Sequence, residues 1–209
     1  MSQELPRCIE SQSYSVYVPD QELDLFKSVT NPAVSIHPES SVIGAFSNTV
    51  KNYLTQKNQN RAGWYIQQFI KLAAIARHSK GATVLIWDAD TIPLKPLAFQ
   101  HNKRLQFYRG EEHRESYFAL TERALGLKKG AAYSFIAQCM PVQVDWLHAL
   151  IGRLELHTTV GWMDALLNHI DPSEPAGFSE YETIGTFVLK NYPNAYCITD
   201  RAWYRNGTS

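Results

Sequence analysis

Val84-Leu85-Ile86-Trp87 is an unbroken apolar run that ends directly in Asp88-Ala89-Asp90-Thr91. A strand from Thr83 to Trp87 with no polar alternation is expected where both of its faces are covered. That requires a layered fold with other elements packed above and below it. The two carboxylates that follow are costly to bury unless a cation or hydrogen-bond donors compensate. At the carboxyl end of such a strand they reach a cleft, where α/β sheets bind their ligands. Hard divalent cations take oxygen ligands and share them with substrate phosphates, so a carboxylate pair here suits a metal–diphosphate site. The plain alternative is that the pair caps the turn after the strand, as Asp often does.

The rest of the chain supplies the layers. Tyr14 to Val18 is β-branched and aromatic and reads as a strand, with a short helix from Gln21 to Val29 after the Pro19-Asp20 turn. Residues 30–61 are rich in Asn, Ser, Gln and Pro and read as an irregular connection. Gly63 to His78 has helical spacing and is stopped by Lys80-Gly81. Strands are expected at Leu105–Tyr108, Tyr133–Ala137 and Ala195–Ile198. Helices are expected at Arg114–Gly126, Val142–His157, Gly161–Ile170 and Ser179–Asn191. The alternation argues for an α/β sheet with helices on its faces, in a single domain spanning residues 1–209.

Composition excludes several classes. Lys plus Arg and Asp plus Glu are both 20, so the formal net charge is zero. A chain that relies on bulk attraction to nucleic acid shows a basic excess, so no nucleic-acid partner is expected. No stretch approaches the roughly 20 apolar residues of a membrane span, and the first seven residues do not read as a signal peptide. Cys8, Cys139 and Cys197 are odd in number and far apart, which points to buried free thiols and a cytoplasmic setting. Asn206-Gly207-Thr208 matches a glycosylation sequon and reads as chance.

Further polar residues qualify as site candidates. Trp64, Gln67, Lys71 and His78 fall within a narrow arc of one helix, with Gln68 beside them, while most of the remaining surface is apolar. A helix buried nearly all round needs a reason for an amide and an ammonium on one stripe. A polar ligand is one reason, with Lys71 meeting a phosphate; a solvent-facing stripe is the other. His78 alone reads as a surface histidine. Glu180 and Glu182 follow Ser179 at a helix start, where acidic residues favour the positive end of the dipole. The functional alternative is a base that accepts a proton from a substrate hydroxyl. Gly185 inside that helix costs about 1 kcal/mol relative to Ala, which suggests close packing or a close ligand. Gln138 is expected at the carboxyl end of the Tyr133 strand, near the same cleft. Arg201, Trp203, Tyr204 and Arg205 form a basic-aromatic cluster that reads either as a cover over a diphosphate or as a solvated tail.

Three segments, Gly63–Leu72, Trp87–Thr91 and Phe178–Glu182, occur in an order and rough spacing that resembles a bacterial family of uncharacterised GT-A-type glycosyltransferases. The resemblance runs from about Tyr14 to Asn194. It implies a three-layer α/β/α sandwich with a mixed central sheet, a nucleotide-diphosphate sugar donor, a Mn²⁺ or Mg²⁺ ion, and a glycan acceptor such as a surface polysaccharide. It implies that Asp88 lies near the ribose or the metal and that Asp90 ligates the metal. It sets Gln67, Gln68 and Lys71 on the donor side and Glu180 and Glu182 on the acceptor side; Trp64, from the helix stripe, and Gln138, from the strand end, join the donor-binding candidates on their own positions in the sequence. Two departures stand out. Tyr14–Val18 matches the second strand of the GT-A pattern, so the first strand is expected to be lacking. No His after the Glu180 helix matches the metal-binding His that GT-A enzymes often supply, and neither His157 nor His169 is assigned to that role. A non-catalytic, truncated GT-A module is therefore one alternative. Asp88-Ala89-Asp90-Thr91 also resembles the D-x-D-x-T of haloacid-dehalogenase-type phosphatases, in which Asp88 would be the nucleophile. That motif usually lies near the N-terminus, and its later acidic pair has no match here.

Overall fold

The computed structural model describes residues 2–56 and 61–200. A short helix α1 (Leu5–Cys8) precedes strand β1 (Tyr14–Val18), and a single 3-10 turn (Asp20–Glu22) leads into α2 (Leu23–Val29). Strand β2 (Val34–Pro38) is followed by α3 (Ser40–Ile43), α4 (Phe46–Thr55), α5 (Ala62–Ala76) and β3 (Thr83–Trp87). The two-residue β4 (Gln100–His101), β5 (Arg104–Tyr108) and α6 (Glu115–Leu125) come next. The chain continues through β6 (Cys139–Gln143), α7 (Val144–Glu155), α8 (Trp162–His169), α9 (Glu180–Asn191) and β7 (Tyr196–Thr199).

The protein is thus of mixed α/β class. Its hydrogen-bonded ladders form three small sheets among the described residues, rather than one central sheet. β1 and β2 run parallel, and β3 and β6 run antiparallel. β5 pairs antiparallel with β4 and parallel with β7. One bridge, Gly110 to Ser134, ties the end of β5 to the segment before β6.

The apolar character of β3 has a two-sided cause. Val84 and Ile86 face the main core, while Leu85 and Trp87 face smaller clusters that include Leu5, Ile9 and Phe99. Only Ile86 is fully buried, so the second cover is thin. α5 lies in the main core, with Tyr65, Phe69, Leu72 and Ile75 all at 0% exposure. Burying one such side chain is worth roughly 1.5–3 kcal/mol, which holds α5 against α7 and α9 through Leu147, Leu150, Ile184 and Val188.

Two expectations are corrected. Residues 30–61 are not irregular, since β2, α3 and α4 lie within them. In α4, Phe46, Val50 and Leu54 recur at four-residue steps and bury one face, which outweighs its polar composition. The expected strand Tyr133–Ala137 is a loop, and the strand starts at Cys139 instead. The cause is local: Gln138 has φ of 63°, a left-handed conformation that ends any extended run before it. Gln138 therefore precedes β6 rather than closing a strand.

Gly185 answers to packing. A Cβ there would stand 2.1 Å from the Phe135 ring, so α9 lies on that ring through a residue with no side chain. Of the three thiols, Cys8 and Cys139 are buried and Cys197 is half-buried. The Arg201–Arg205 cluster and the Asn206 sequon lie outside the described residues.

Candidate functional site: a carboxylate cleft between α5, β3 and α9

α5 and the start of α9 meet at the carboxyl end of β3, and a cleft of about 230 Å³ opens there. Trp64, Gln67, Gln68 and Lys71 line it from α5, and Asp88 and Asp90 from the end of β3. Gln138 reaches it from the loop before β6, and Glu180 from α9. Those eight sequence candidates converge. His78 lies past the end of α5, is exposed, and is not among the lining residues. Glu182 is not among them either.

The centre of the cleft is an ion cluster. Lys71 Nζ donates to Asp88 Oδ1 in a close ion pair and to Glu180 Oε1 at 2.6 Å. Tyr181 donates its hydroxyl to the same Asp88 Oδ1 at 3.0 Å, and the Lys71 ammonium lies 4.5 Å from the Tyr181 ring centroid. The Lys71, Asp88 and Glu180 side chains are 12%, 16% and 4% exposed. Burial pushes the Lys71 pKa down, but the charges of Glu180 and Asp88 and their hydrogen bonds more than reverse this, leaving it raised. Lys71 is therefore an ammonium at neutral pH. Burial, and then the Asp88 and Glu180 charges, hold the Tyr181 phenol protonated far above its usual range.

One face of this cluster remains open to a ligand. Among the described residues, the second oxygens of Asp88 and Glu180 have no hydrogen-bond partner, although Glu180 is only 3% exposed. Asp90 is exposed. The Thr91 hydroxyl next to it donates to Gln138 Oε1 at 3.1 Å, and the Gln138 carbonyl accepts from the Asp88 N–H at 2.9 Å. Gln138 thus pins both ends of the Asp88–Thr91 turn, the Asp88 end with its carbonyl and the Thr91 end with its side chain.

Two candidates are structural struts. Gln68 is 3% exposed, and its Oε1 accepts from the Glu180 N–H at 3.0 Å. It satisfies one of the orphan donors at the start of α9, and Ser179 Oγ satisfies another by accepting from the Glu182 N–H at 3.3 Å. Glu182, at 0% exposure, points away from the cleft. It accepts from Ser134 Oγ at 2.7 Å, from the Phe135 N–H at 2.8 Å and from Lys129 Nζ at 3.4 Å. Its place is under the 133–136 loop rather than beside a substrate.

Sequence reasoning missed Tyr181, Glu112 and Tyr117, which also line the cleft. Tyr181 sits between the two acidic residues singled out on α9. Its position one residue past Glu180 gave no periodic signal. Burial pushes the Tyr117 pKa up to about 12, so it too stands as a neutral phenol.

The carboxylates fit a divalent ion of one kind. No group of three or more His, Cys, Asp or Glu able to hold a metal occurs among the described residues, so these residues alone build no closed cage. Asp88 and Asp90 offer oxygens to one cleft, which suits an ion whose remaining ligands come from phosphate and water.

A model for a family of unknown function, DUF6492, matches residues 7–195. The chain belongs to the DUF6492 family. The matched span takes in every residue lining the cleft of this DUF6492 protein. No curated protein and no solved structure matches the chain. No helix among the described residues is long and apolar enough to cross a membrane.

Proposed function

We propose that this chain is a divalent-metal-dependent glycosyltransferase with a GT-A-like α/β/α arrangement, which moves a sugar from a nucleotide-diphosphate donor to a glycan hydroxyl. The observation that carries the reading is the convergence of Asp88 and Asp90, at the end of β3, with Glu180 across one cleft. Electrostatics support it. Among the described residues Asp88, Asp90 and Glu180 line the cleft with one cation, Lys71, while Glu112 is paired with Arg114 at 2.8 Å, so an anionic donor entering alone meets net repulsion. A Mn²⁺ or Mg²⁺ ion held by Asp90 and Asp88 would offset that charge and stabilise the departing nucleoside diphosphate. Glu180 lines the cleft and its second oxygen has no partner among the described residues, so it would accept the proton of an acceptor hydroxyl. Trp64 and Gln67 form the half-open rim on the donor side.

Thermal shift with a panel of nucleotide sugars, with and without Mn²⁺, tests the proposal. A stabilisation that needs both ion and donor is expected, and Asp90→Ala should abolish it. No metal-dependent shift with any donor would count decisively against the reading. Mg²⁺-dependent hydrolysis of p-nitrophenyl phosphate, lost on Asp88→Asn, would replace it with the phosphatase reading. Donor binding with no transfer and no donor hydrolysis would reduce the chain to a binding module.

A further inference from the structure

The sequence pointed to Lys71 as a phosphate-binding point charge. Its ammonium is instead committed to protein: Asp88 Oδ1, Glu180 Oε1 and the face of Tyr181 take it up. Among the described residues it is the only cationic side chain lining the cleft, and it lies against one of the two carboxylates that the proposed function assigns to a divalent ion.

We propose that Lys71 is a tethered cation that competes with the divalent ion for Asp88, so that an ion taking both Asp88 oxygens displaces its ammonium from Oδ1. The proposal rests on the metal-dependent reading above. Three observations support it. First, Lys71 and Tyr181 both converge on a single oxygen, Asp88 Oδ1, so an ion that draws on both Asp88 oxygens has to displace them. Second, Lys71 has somewhere to remain: Glu180 Oε1 at 2.6 Å and the Tyr181 ring at 4.5 Å keep its charge compensated after it leaves Asp88. Third, the second oxygen of the nearly buried Glu180 has no partner among the described residues, so the cluster retains acceptor capacity on its cleft side. The tether has a physical use. With no ion bound, two facing buried carboxylates repel each other, and a fixed ammonium removes that cost without a diffusible ion.

The test is direct Mn²⁺ binding to the full chain, read by electron paramagnetic resonance of free Mn²⁺ with no nucleotide present. Lys71→Met removes a unit charge within a few ångströms of Asp88, so Mn²⁺ should bind at least about tenfold more tightly than to the unaltered chain. Tyr181→Phe removes a neutral donor and leaves the ammonium, so its Mn²⁺ affinity should change by less than about threefold. If Lys71→Met does not fold, the unaltered chain carries the test. Diamagnetic Mg²⁺ should shift the Lys71 ¹⁵Nζ resonance with the same midpoint as the cleft amides. Equal Mn²⁺ affinity in the unaltered and Lys71→Met chains, or a Lys71 resonance that does not move as Mg²⁺ saturates the cleft, overturns this inference and leaves the proposed function standing. Absence of divalent-ion binding in both chains overturns the proposed function as well.

Discussion

Glu182 offers a sharp separation between a catalytic and a structural carboxylate. It is 0% exposed and accepts from Ser134 Oγ, the Phe135 N–H and Lys129 Nζ. Glu182→Gln keeps one oxygen for Ser134 and Phe135 but makes both bonds neutral. A hydrogen bond to a charged group contributes about 1.5–3 kcal/mol, against about 1 kcal/mol for a neutral one, so the two bonds together lose roughly 2 kcal/mol. The new amide also points a donor at Lys129, which is 13% exposed and among the described residues keeps only the Tyr133 carbonyl and the Phe118 ring as partners. The expected destabilisation is about 2–4 kcal/mol, which at this chain length lowers Tm by roughly 5–12 °C. Glu182→Ala strands all three donors and should cost about 3–5 kcal/mol, in the range of a broken buried ion pair. Urea unfolding followed by far-ultraviolet circular dichroism measures both variants. The folded fraction of Glu182→Gln should keep the metal-and-donor thermal shift of the unaltered chain. The reasoning fails if Glu182→Gln unfolds at the same urea concentration as the unaltered chain while losing sugar transfer, because that is the behaviour of a catalytic base.

Three further outcomes are expected. Gly185→Ala should destabilise by about 1–3 kcal/mol despite the better helix propensity of Ala, because its Cβ meets the Phe135 ring; Phe135→Leu in the same chain should recover part of the loss, and an unchanged urea midpoint for Gly185→Ala alone would refute the contact. Gln68→Leu strands the Glu180 N–H and should cost about 1–3 kcal/mol, with faster hydrogen exchange at Glu180 read by NMR; unaltered exchange there would remove Gln68 as the cap. Stability should fall in alkali. Tyr181, Tyr117 and Lys71 all hold their protons more firmly folded than unfolded, so the unfolded chain releases them first as pH passes their ordinary values of 10.0 and 10.5. Their contribution is complete below about pH 10 and declines above it as the folded groups titrate, so a urea midpoint that stays level from about pH 9 to 11 would contradict this.

Much of the site was legible because its parts sit on elements with strong local signals. α5 announces itself through periodicity, β3 through an unbroken apolar run, and α9 through Ser179 and the acidic first turn. What those signals could not supply was direction. Glu180 and Glu182 look alike in sequence, yet a helix turns about 200° in two residues, so one faces the cleft and the other the 133–136 loop. Lys71 likewise reads as an unpaired cation until α9, 109 residues later, delivers Glu180 to it. The fold was less legible where polar composition concealed a real period, as in α4. β6 was hidden because Pro141 argues against a strand; among the described residues β6 pairs only with β3, and a proline is tolerated on an edge whose donor side is unpaired.

The Gln68 cap on α9 has a kinetic side. An isolated helix closes its first turn with residues next to it in the chain, whereas α9 borrows an amide from 112 residues away. Ser179 secures the Glu182 N–H locally, but the Glu180 N–H finds its partner only when α5 has docked. The first turn of α9 is therefore fully capped only once α5 is docked, through a contact that closes a long loop and carries that loop's entropic cost. A folding intermediate that holds α5 and lacks a docked α9 would have the Asp88–Asp90 turn and no cleft, so whatever the cleft binds waits for α9 to dock.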